Sequence, residues 1–376
     1  MADETLHGLE LRSLATPEGE LKLSLEEVTI AAPGADEIVV RVEAAPINPS
    51  DLGLLLGPAD LSTLTVGGSG DRPTLTVQIP PQRLRMLQAR LGQSLPVGNE
   101  GAGTVVQAGA NQQALLGKRV GMLGGAMYAT YRKIAVRDVI VLPDDASAAD
   151  GASMFVNPLT ALAMVETMRR EGHKAIVHTA AASNLGQMLV RICQVEDVPL
   201  VNIVRSDEQA ALLRDAGAHY VVDSSGSDFA AQLTDAVAET GATIAFDAVG
   251  GGKLANAILH AIEAAANRNA AAYSRYGSSQ FKQVYIYGGL DVGPTLLDRG
   301  FGFSWSVSGF LLTPFLQKVG AETVQAMRNR VRDELKTTFA SHYTDTIGLA
   351  EALDPEVIDA YQRKATGRKY LIDPSR

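Results

Sequence analysis

The sequence predicts an α/β protein of two domains, a doubly wound parallel sheet and a β-rich domain. Three observations carry that expectation. The chain has 376 residues, more than one hydrophobic core usually organises, and about 150 residues per domain gives two. Residues 1–150 are rich in short β-branched and apolar segments cut by Gly and Pro, such as Ile38–Val42, Gly103–Val106 and Ile134–Val136. From 151 to 319 short apolar strands alternate with helical patterns, the βαβ texture of a parallel sheet, and the tail 320–376 reads as helix then strand returning to the first domain.

Hydrophobic residues make up 46% of the chain and charged residues 20%, far from the balance of disordered chains. Lys and Arg number 33 against 42 Asp and Glu, a net charge of -9 with no concentrated basic face to neutralise a phosphate backbone or an anionic leaflet. Nucleic acid and membrane surfaces are therefore not expected partners. The single cysteine, Cys193, has no partner for an intramolecular disulfide and removes every multi-thiolate metal site. A reducing cytosol is the expected setting. The opening residues Met1-Ala2-Asp3-Glu4 lack the basic and apolar regions of a secretory signal, and no run approaches the roughly 18 apolar residues of a membrane span. The mature chain is expected to start here.

Residues 58–96 read as an insertion. Thr63–Val66 and Thr74–Val77 flank Gly67-Gly68-Ser69-Gly70-Asp71, the pattern of a β-hairpin. After Pro80-Pro81, Leu84, Leu87 and Leu91 share one helical stripe beside Arg83, Arg85 and Arg90, either a solvated helix or a basic lid over an anionic substrate tail. The second domain has its clearest unit in strand Ala175–Thr179, a turn, helix Asn184–Glu196 and strand Leu200–Val204. Leu185, Met188, Leu189, Ile192 and Cys193 form one stripe of that helix, which places Cys193 in the core. Ser206-Asp207-Glu208-Gln209 has the form of a capping box, and Gly217 closes the helix it opens. Further strands are expected at Tyr220–Val222, Thr243–Phe246 and Val284–Tyr287. The Ala-rich stretch 264–272, followed by Tyr273-Ser274-Arg275-Tyr276-Gly277, reads as a surface connection. Trp305, in Phe303-Ser304-Trp305-Ser306, belongs to the last strand as a core or interface residue.

The segment Thr179-Ala180-Ala181-Ala182-Ser183-Asn184-Leu185-Gly186 joins a strand to a helix. Small residues let the backbone approach a pyrophosphate, and the helix N-terminus supplies N–H groups and a favourable dipole. The segment keeps only the last glycine of G-x-G-x-x-G, and a tight packing turn is the plain alternative. The next strand ends in Asn202-Ile203-Val204-Arg205-Ser206. About 20 residues past such a turn sits the group that reads the ribose, an acid for NAD or a cation for the 2′-phosphate of NADP. Arg205 is that candidate, with Ser206 as a second donor; a solvent-facing salt-bridge arginine is the alternative.

Three more segments complete a set: Ile47-Asn48-Pro49-Ser50-Asp51, Val97-Gly98-Asn99-Glu100-Gly101 and Val156-Asn157-Pro158-Leu159-Thr160-Ala161. Gly117-Lys118-Arg119-Val120, Phe246-Asp247-Ala248-Val249-Gly250-Gly251, Tyr287-Gly288-Gly289 and Thr366-Gly367-Arg368 follow in order. With these motifs the chain resembles the medium-chain dehydrogenase/reductase superfamily, in its zinc-independent quinone reductase and 2-enoyl thioester reductase branch, over nearly its whole length apart from residues 58–96 and roughly 264–280. The resemblance implies a Rossmann domain that binds NADP (151–319) and a GroES-like, partly open β-barrel domain that carries catalysis and substrate (1–150 and 320–376).

In the zinc-dependent alcohol dehydrogenases of that superfamily the metal ligands fall at positions that are Asn48, Asn99 and Val156 here, none a good zinc ligand. No metal is therefore expected. Without a Lewis acid, hydride transfer favours an activated acceptor whose carbonyl delocalises the developing charge, so a quinone, enone or enoyl thioester is the expected small-molecule partner. The resemblance assigns Asn48, Asn157 and Thr160 to the nicotinamide, Ala182, Ser183, Leu185 and Gly186 to the pyrophosphate turn, and Arg205 to the 2′-phosphate. It assigns Val249, Gly250, Tyr287 and Gly288 to the wall beside ribose and nicotinamide, with Arg368 in the C-terminal motif. Asp51 reads as an acid that orients its loop, and His178 as a core residue. The enoyl thioester reductases place a proton-donating tyrosine in a Gly-x-Tyr element after the Asn48 motif; this chain has Gly57-Pro58-Ala59-Asp60 instead. Tyr128, Tyr131 or water are the substitutes, with Tyr128 taken beside Asn48 and Thr160 as catalytic.

The resulting expectation is an NADPH-dependent, zinc-free quinone or enone reductase, homodimeric through an edge strand around Phe303–Val307, with substrate in a cleft beside the nicotinamide. An enoyl thioester reductase and a low-turnover NADPH-binding sensor or structural protein are the alternatives.

Overall fold

A computed structural model describes residues 5–268, 270, 272–363 and 367–376. Met1–Glu4, Thr366 of the C-terminal motif, and Asn269 and Ala271 of the Ala-rich stretch lie outside the described residues. The chain divides into two compact units, Met1–Val156 with Arg330–Arg376, and Asn157–Asn329.

The first unit is built on antiparallel strands. One sheet runs Asp60–Ser69, Arg72–Gln78, Glu20–Ile30, Leu6–Ala15, Ser94–Pro96; the other runs Val139–Val141, Arg119–Leu123, Glu100–Ala108, Glu37–Pro46, Tyr370–Ile372, Asp345–Ile347, with Tyr131–Ala135 also paired to Glu37–Pro46. Leu11, Leu23, Ile38, Val40, Val120 and Met122 are inward residues of these strands and form one core with Tyr128 and Ile372. The C-terminal strand enters this sheet antiparallel to Glu37–Pro46, with Leu371 opposite Pro46. That pairing sets the residues just before it, Arg368 and Lys369, beside the loop that begins at Ile47, whose N–H bonds Tyr370 O at 3.0 Å.

The insertion adds an edge to the first sheet. Its hairpin is longer than the sequence pattern indicates, since Gly67–Ser69 pair in the ladder and only Gly70-Asp71 turns, with Ser69 opposite Arg72. The expected single helix is instead one α-turn, Pro81–Leu84, followed by a 3-10 segment, Arg85–Arg90. Leu84, Leu87 and Leu91 pack on the cluster of Ala15, Leu21, Val77 and Ile79, so the stripe is docked on the sheet.

The second unit is a six-stranded parallel sheet in the order Tyr220–Asp223, Leu200–Val204, Ile176–His178, Ile244–Asp247, Lys282–Ile286, Trp305–Gly309. Helix Asn184–Val195 carries the expected stripe, and Cys193 is buried in it with its thiol pushed up to about 12 by that burial. Ser206 caps helix Asp207–Asp215 by accepting Gln209 N–H, while Gln209 reaches back to Arg205 N–H rather than to Ser206, half of the expected box. Helix Leu254–Arg268 runs into the Ala-rich stretch and buries Ala265, so the first part of the expected connection is core-facing helix. Trp305 opens the edge strand and packs against the core of this sheet. Among the described residues no helix is long and apolar enough to cross a membrane.

Candidate functional site

In the second unit the chain leaves the first strand for one side of the sheet and returns on the other, which makes a switch point between Ile176–His178 and Ile244–Asp247. The candidate cofactor residues of this unit follow the carboxyl ends of four adjacent strands: Ala182–Gly186, Arg205 and Ser206, Val249 and Gly250, and Tyr287 and Gly288. Parallel pairing makes that convergence, since four strands of one direction end on one edge.

The turn after the first strand is held open by small residues. Ser183 caps helix Asn184–Val195, accepting Gly186 N–H at 3.1 Å. A Cβ on Gly186 would lie 2.1 Å from Ala181 O, so only glycine lets the helix start this close to the turn. Ala182 and Leu185 are buried and Ser183 is partly exposed. The turn is locked from the side by Asp247: Thr179 Oγ1 donates to its Oδ1 at 2.8 Å, and the N–H groups of Val249 and Gly250 donate to its two oxygens at 2.9 and 3.1 Å. Asp247 is thereby consumed in shaping the loop. Arg205 is exposed at the end of the second strand, and among the described residues no carboxylate forms a salt bridge with it. Asp207 and Glu208, which follow it, do not engage it.

His178 Nε2 and Tyr287 Oη are 2.8 Å apart and their rings stack at 5.8 Å. Burial pushes the imidazole down to about 3, so it is neutral, and its Nδ1 has no hydrogen-bond partner among the described residues. It is the core residue the sequence indicates, and it orients Tyr287.

In the first unit, Asn48, Asn99 and Val156 come together around two buried carboxylates. Asn48 Nδ2 donates to Glu100 Oε1 at 2.7 Å, and the N–H groups of Phe155 and Val156 donate to Glu100 Oε2, each at 2.9 Å. Asp51 accepts Asn48 N–H and Asn99 N–H, each at 2.8 Å. Burial pushes the Asp51 carboxyl up to about 7 against the pull of those N–H groups, and it raises Glu100 as well. Asp51 is the loop-orienting acid the sequence indicates. Asn48 Oδ1 is buried and has no hydrogen-bond partner among the described residues. Among the described residues no group of three or more His, Cys, Asp or Glu is arranged to hold a metal ion.

Tyr128 does not suit the role taken for it. It is 0% exposed, its Oη donates to Pro46 O at 3.0 Å, and burial lifts its phenol well above the ordinary value. Its proton is committed to the interior. Thr160 and Asn157 stand in the first turns of helix Val156–Arg170, Thr160 buried and Asn157 partly so. Arg368 is exposed. Sequence reasoning passed over Glu100 and Asp247 as organisers; the signal for each was an acid in an otherwise apolar strand or at its end.

For a nicotinamide dinucleotide the residues of the second unit fit: a glycine-dependent turn at a helix N-terminus and an exposed guanidinium at the second strand end, with no salt bridge to it among the described residues. The zinc-binding dehydrogenase family matches residues 184–274, a stretch that includes none of Asn48, Asn99 and Val156. The chain is 28% identical over 212 residues to the mitochondrial enoyl-[acyl-carrier-protein] reductase of Xenopus tropicalis, covering 53% of this chain and 51% of that one. It is 27% identical over 158 residues to a quinone oxidoreductase of Pseudomonas aeruginosa, covering 41% and 49%. The matches thus span about half the length of the curated relatives. Among solved structures, a putative NADPH:quinone reductase from Mesorhizobium loti is similar over 100% of both chains, at 27% identity and a TM-score of 0.72. A Rossmann sheet and a GroES-like antiparallel unit in one chain, with these relatives, make the chain similar to the medium-chain dehydrogenase/reductase superfamily, in its quinone reductase and enoyl thioester reductase branch.

Proposed function

We propose that the protein is an NADPH-dependent, zinc-free reductase of a quinone or other conjugated carbonyl acceptor. The observation that carries this reading is the arrangement at Asn48, Asn99 and Val156, where the metal-ligand positions of zinc-dependent relatives are filled by residues that Glu100 and Asp51 bind for themselves. A site so organised offers hydrogen bonds and electrostatic stabilisation, which suits an acceptor able to delocalise its own charge. When bound, the dihydronicotinamide supplies the hydride. The turn from Ala182 to Gly186 is assigned to its pyrophosphate and Arg205, with Ser206, to its 2′-phosphate. Val249, Gly250, Tyr287 and Gly288 are assigned to the ribose side. Asn48, Asn157 and Thr160 are assigned to the nicotinamide end, Asn48 Oδ1 being an acceptor in need of a donor. A small-molecule acceptor, a homodimer and a reducing cytosolic setting complete the reading.

The test is NADPH consumption by chelator-treated protein over a panel of quinones, enones and enoyl thioesters. Turnover with conjugated acceptors supports the reading. Activity that disappears on chelation overturns it. NADPH binding without turnover on any acceptor supports the sensor alternative. The enoyl thioester alternative draws on the named activity of the matched enoyl reductases and is decided by the thioester arm of the panel.

A further inference from the structure

The insertion closes a cavity inside the first unit. It measures about 520 Å³, within the range of small-molecule sites, and four pieces of chain line it: helix Leu52–Leu55 with Leu56, the start of strand Asp60–Ser69, the turn Pro81–Leu84 and the end of helix Pro355–Gln362. Leu52, Leu56 and Leu61 supply apolar wall, Leu52 and Leu56 from buried positions. Gln82 and Arg83, both exposed, line it from the insertion. None of the residues assigned to the nicotinamide dinucleotide lines it.

Two guanidinium groups at this cavity form no salt bridge among the described residues. The hydrogen bond that Arg83 makes there runs from Nη1 to Pro58 O at 3.5 Å, the long limit for such a bond. Arg90 Nη1 donates to Leu54 O at 2.9 Å, while its Nε and Nη2 are buried with no partner among the described residues. Nη2 backs onto the cavity wall at Gly57, where a Cβ would lie 3.3 Å from it. A cation withdrawn from water without a counter-charge is costly, and an anion set against it offsets part of that cost. Asp60, exposed at the same cavity, is not that anion: its Oδ1 accepts Ser62 N–H at 3.1 Å and Ser62 Oγ at 2.7 Å. Residues 72–99 carry Arg72, Arg83, Arg85 and Arg90 and neither Asp nor Glu, in a chain whose net charge is -9.

We propose that this cavity binds an amphipathic monocarboxylate, its apolar chain on Leu52, Leu56 and Leu61 and its carboxylate on the Arg83 guanidinium, with Arg90 adding positive charge from behind the Gly57 wall. Binding is non-covalent and does not draw on the reductase reading. The planar fork of a guanidinium matches a carboxylate in two parallel N–H···O bonds. Methylene groups leave water against the leucines, while the charged end stays where the exposed Arg83 can meet it. A single charge suits the cavity better than a double one, because Asp60, whose carboxyl Ser62 holds below its ordinary value, sets a negative charge on the same lining. The absence of a tyrosine in Gly57-Pro58-Ala59-Asp60 leaves that room open, since Gly57 and Ala59 give this wall the two smallest side chains.

The experiment titrates the full chain with octanoate, octanamide and inorganic phosphate by calorimetry, in the wild type, Arg83→Gln and Gln82→Trp. Octanoate should saturate a single site. Octanamide, which keeps the chain and lacks the charge, should bind about 10-fold more weakly or worse. Arg83→Gln should weaken octanoate by about 10-fold or more and leave octanamide unchanged. Gln82→Trp, which fills the cavity from an exposed position, should weaken both. No saturable octanoate binding, equal affinity for octanoate and octanamide, or octanoate binding that neither variant weakens overturns the proposal. Phosphate that binds as tightly as octanoate also overturns it, since the arginines are then a cationic patch only. If a variant fails to fold, the methyl NMR signals of Leu52 and Leu56 in the wild type decide: octanoate should shift them, and signals that stay still overturn the proposal. None of these outcomes bears on NADPH binding, so the reductase reading stands or falls apart from them.

Discussion

Glu100 holds the Asn48 amide with one oxygen and the N–H groups of Phe155 and Val156 with the other, so one buried carboxylate joins a strand, a loop and the start of a helix. In Glu100→Gln one of these positions becomes an NH2 facing another donor. A buried donor left unpaired costs about 1–3 kcal/mol. Urea unfolding should show that loss together with a fall in acceptor turnover; an unchanged midpoint means the carboxylate does not organise the loop.

His178 provides a pH signature. Its folded-state value, about 3, lies below the unfolded 6.5, so the neutral ring contributes stability that is complete above 6.5 and is lost as pH falls toward 3. The slope is on the order of 1.4 kcal/mol per pH unit across that window. His178→Gln, whose amide can still meet Tyr287, should flatten the wild-type decline in a pH series of denaturant midpoints. Parallel curves place the titration elsewhere.

Gly186→Ala sets a Cβ against Ala181 O, with only 2.1 Å between them. Overpacking of this kind costs about 1–3 kcal/mol. The melting temperature should drop and NADPH affinity should fall further than stability alone explains. Retained affinity counts against the turn as the pyrophosphate site.

On the proposed reading Arg205 selects NADPH over NADH. A guanidinium pairs with the 2′-phosphate in a bidentate, charge-assisted way, whereas NADH offers a hydroxyl there. Arg205→Ala should weaken NADPH by roughly 1.5–3 kcal/mol, about 10- to 150-fold, and barely alter NADH. Equal weakening of both, or equal native affinity for both, removes Arg205 from the site.

Trp305–Gly309 is an edge of the parallel sheet, and Phe303 just before it is 81% exposed. An edge strand with apolar flanks is covered by pairing with a second copy. Sedimentation should give the mass of two chains at micromolar concentration, and Phe303→Lys should shift it toward one without lowering the melting temperature. A monomeric wild type ends this expectation.

Much of the second unit was legible because its signals are local. A helix stripe is a matter of spacing, so Asn184–Val195 and Leu200–Val204 appear close to where periodicity puts them. The insertion was less so: the leucine stripe at 84, 87 and 91 shows an apolar face, but whether that face meets the sheet or a substrate depends on Ala15 and Val77, far away in sequence.

The sequence by itself determined the alternation of strands and helices, the small-residue turn and the cation after the second strand, since each depends on residue type and nearby spacing. Only the tertiary structure decided that Glu100 serves Asn48 and Val156 at once, that Tyr128 faces inward to Pro46, and that Lys369 meets Ser153 across 216 positions of chain. The physical reason is burial. Whether a carboxylate, phenol or ammonium keeps or yields its proton depends on how much water its neighbours exclude and which donors they offer, and those neighbours are chosen by strand pairing over long separations.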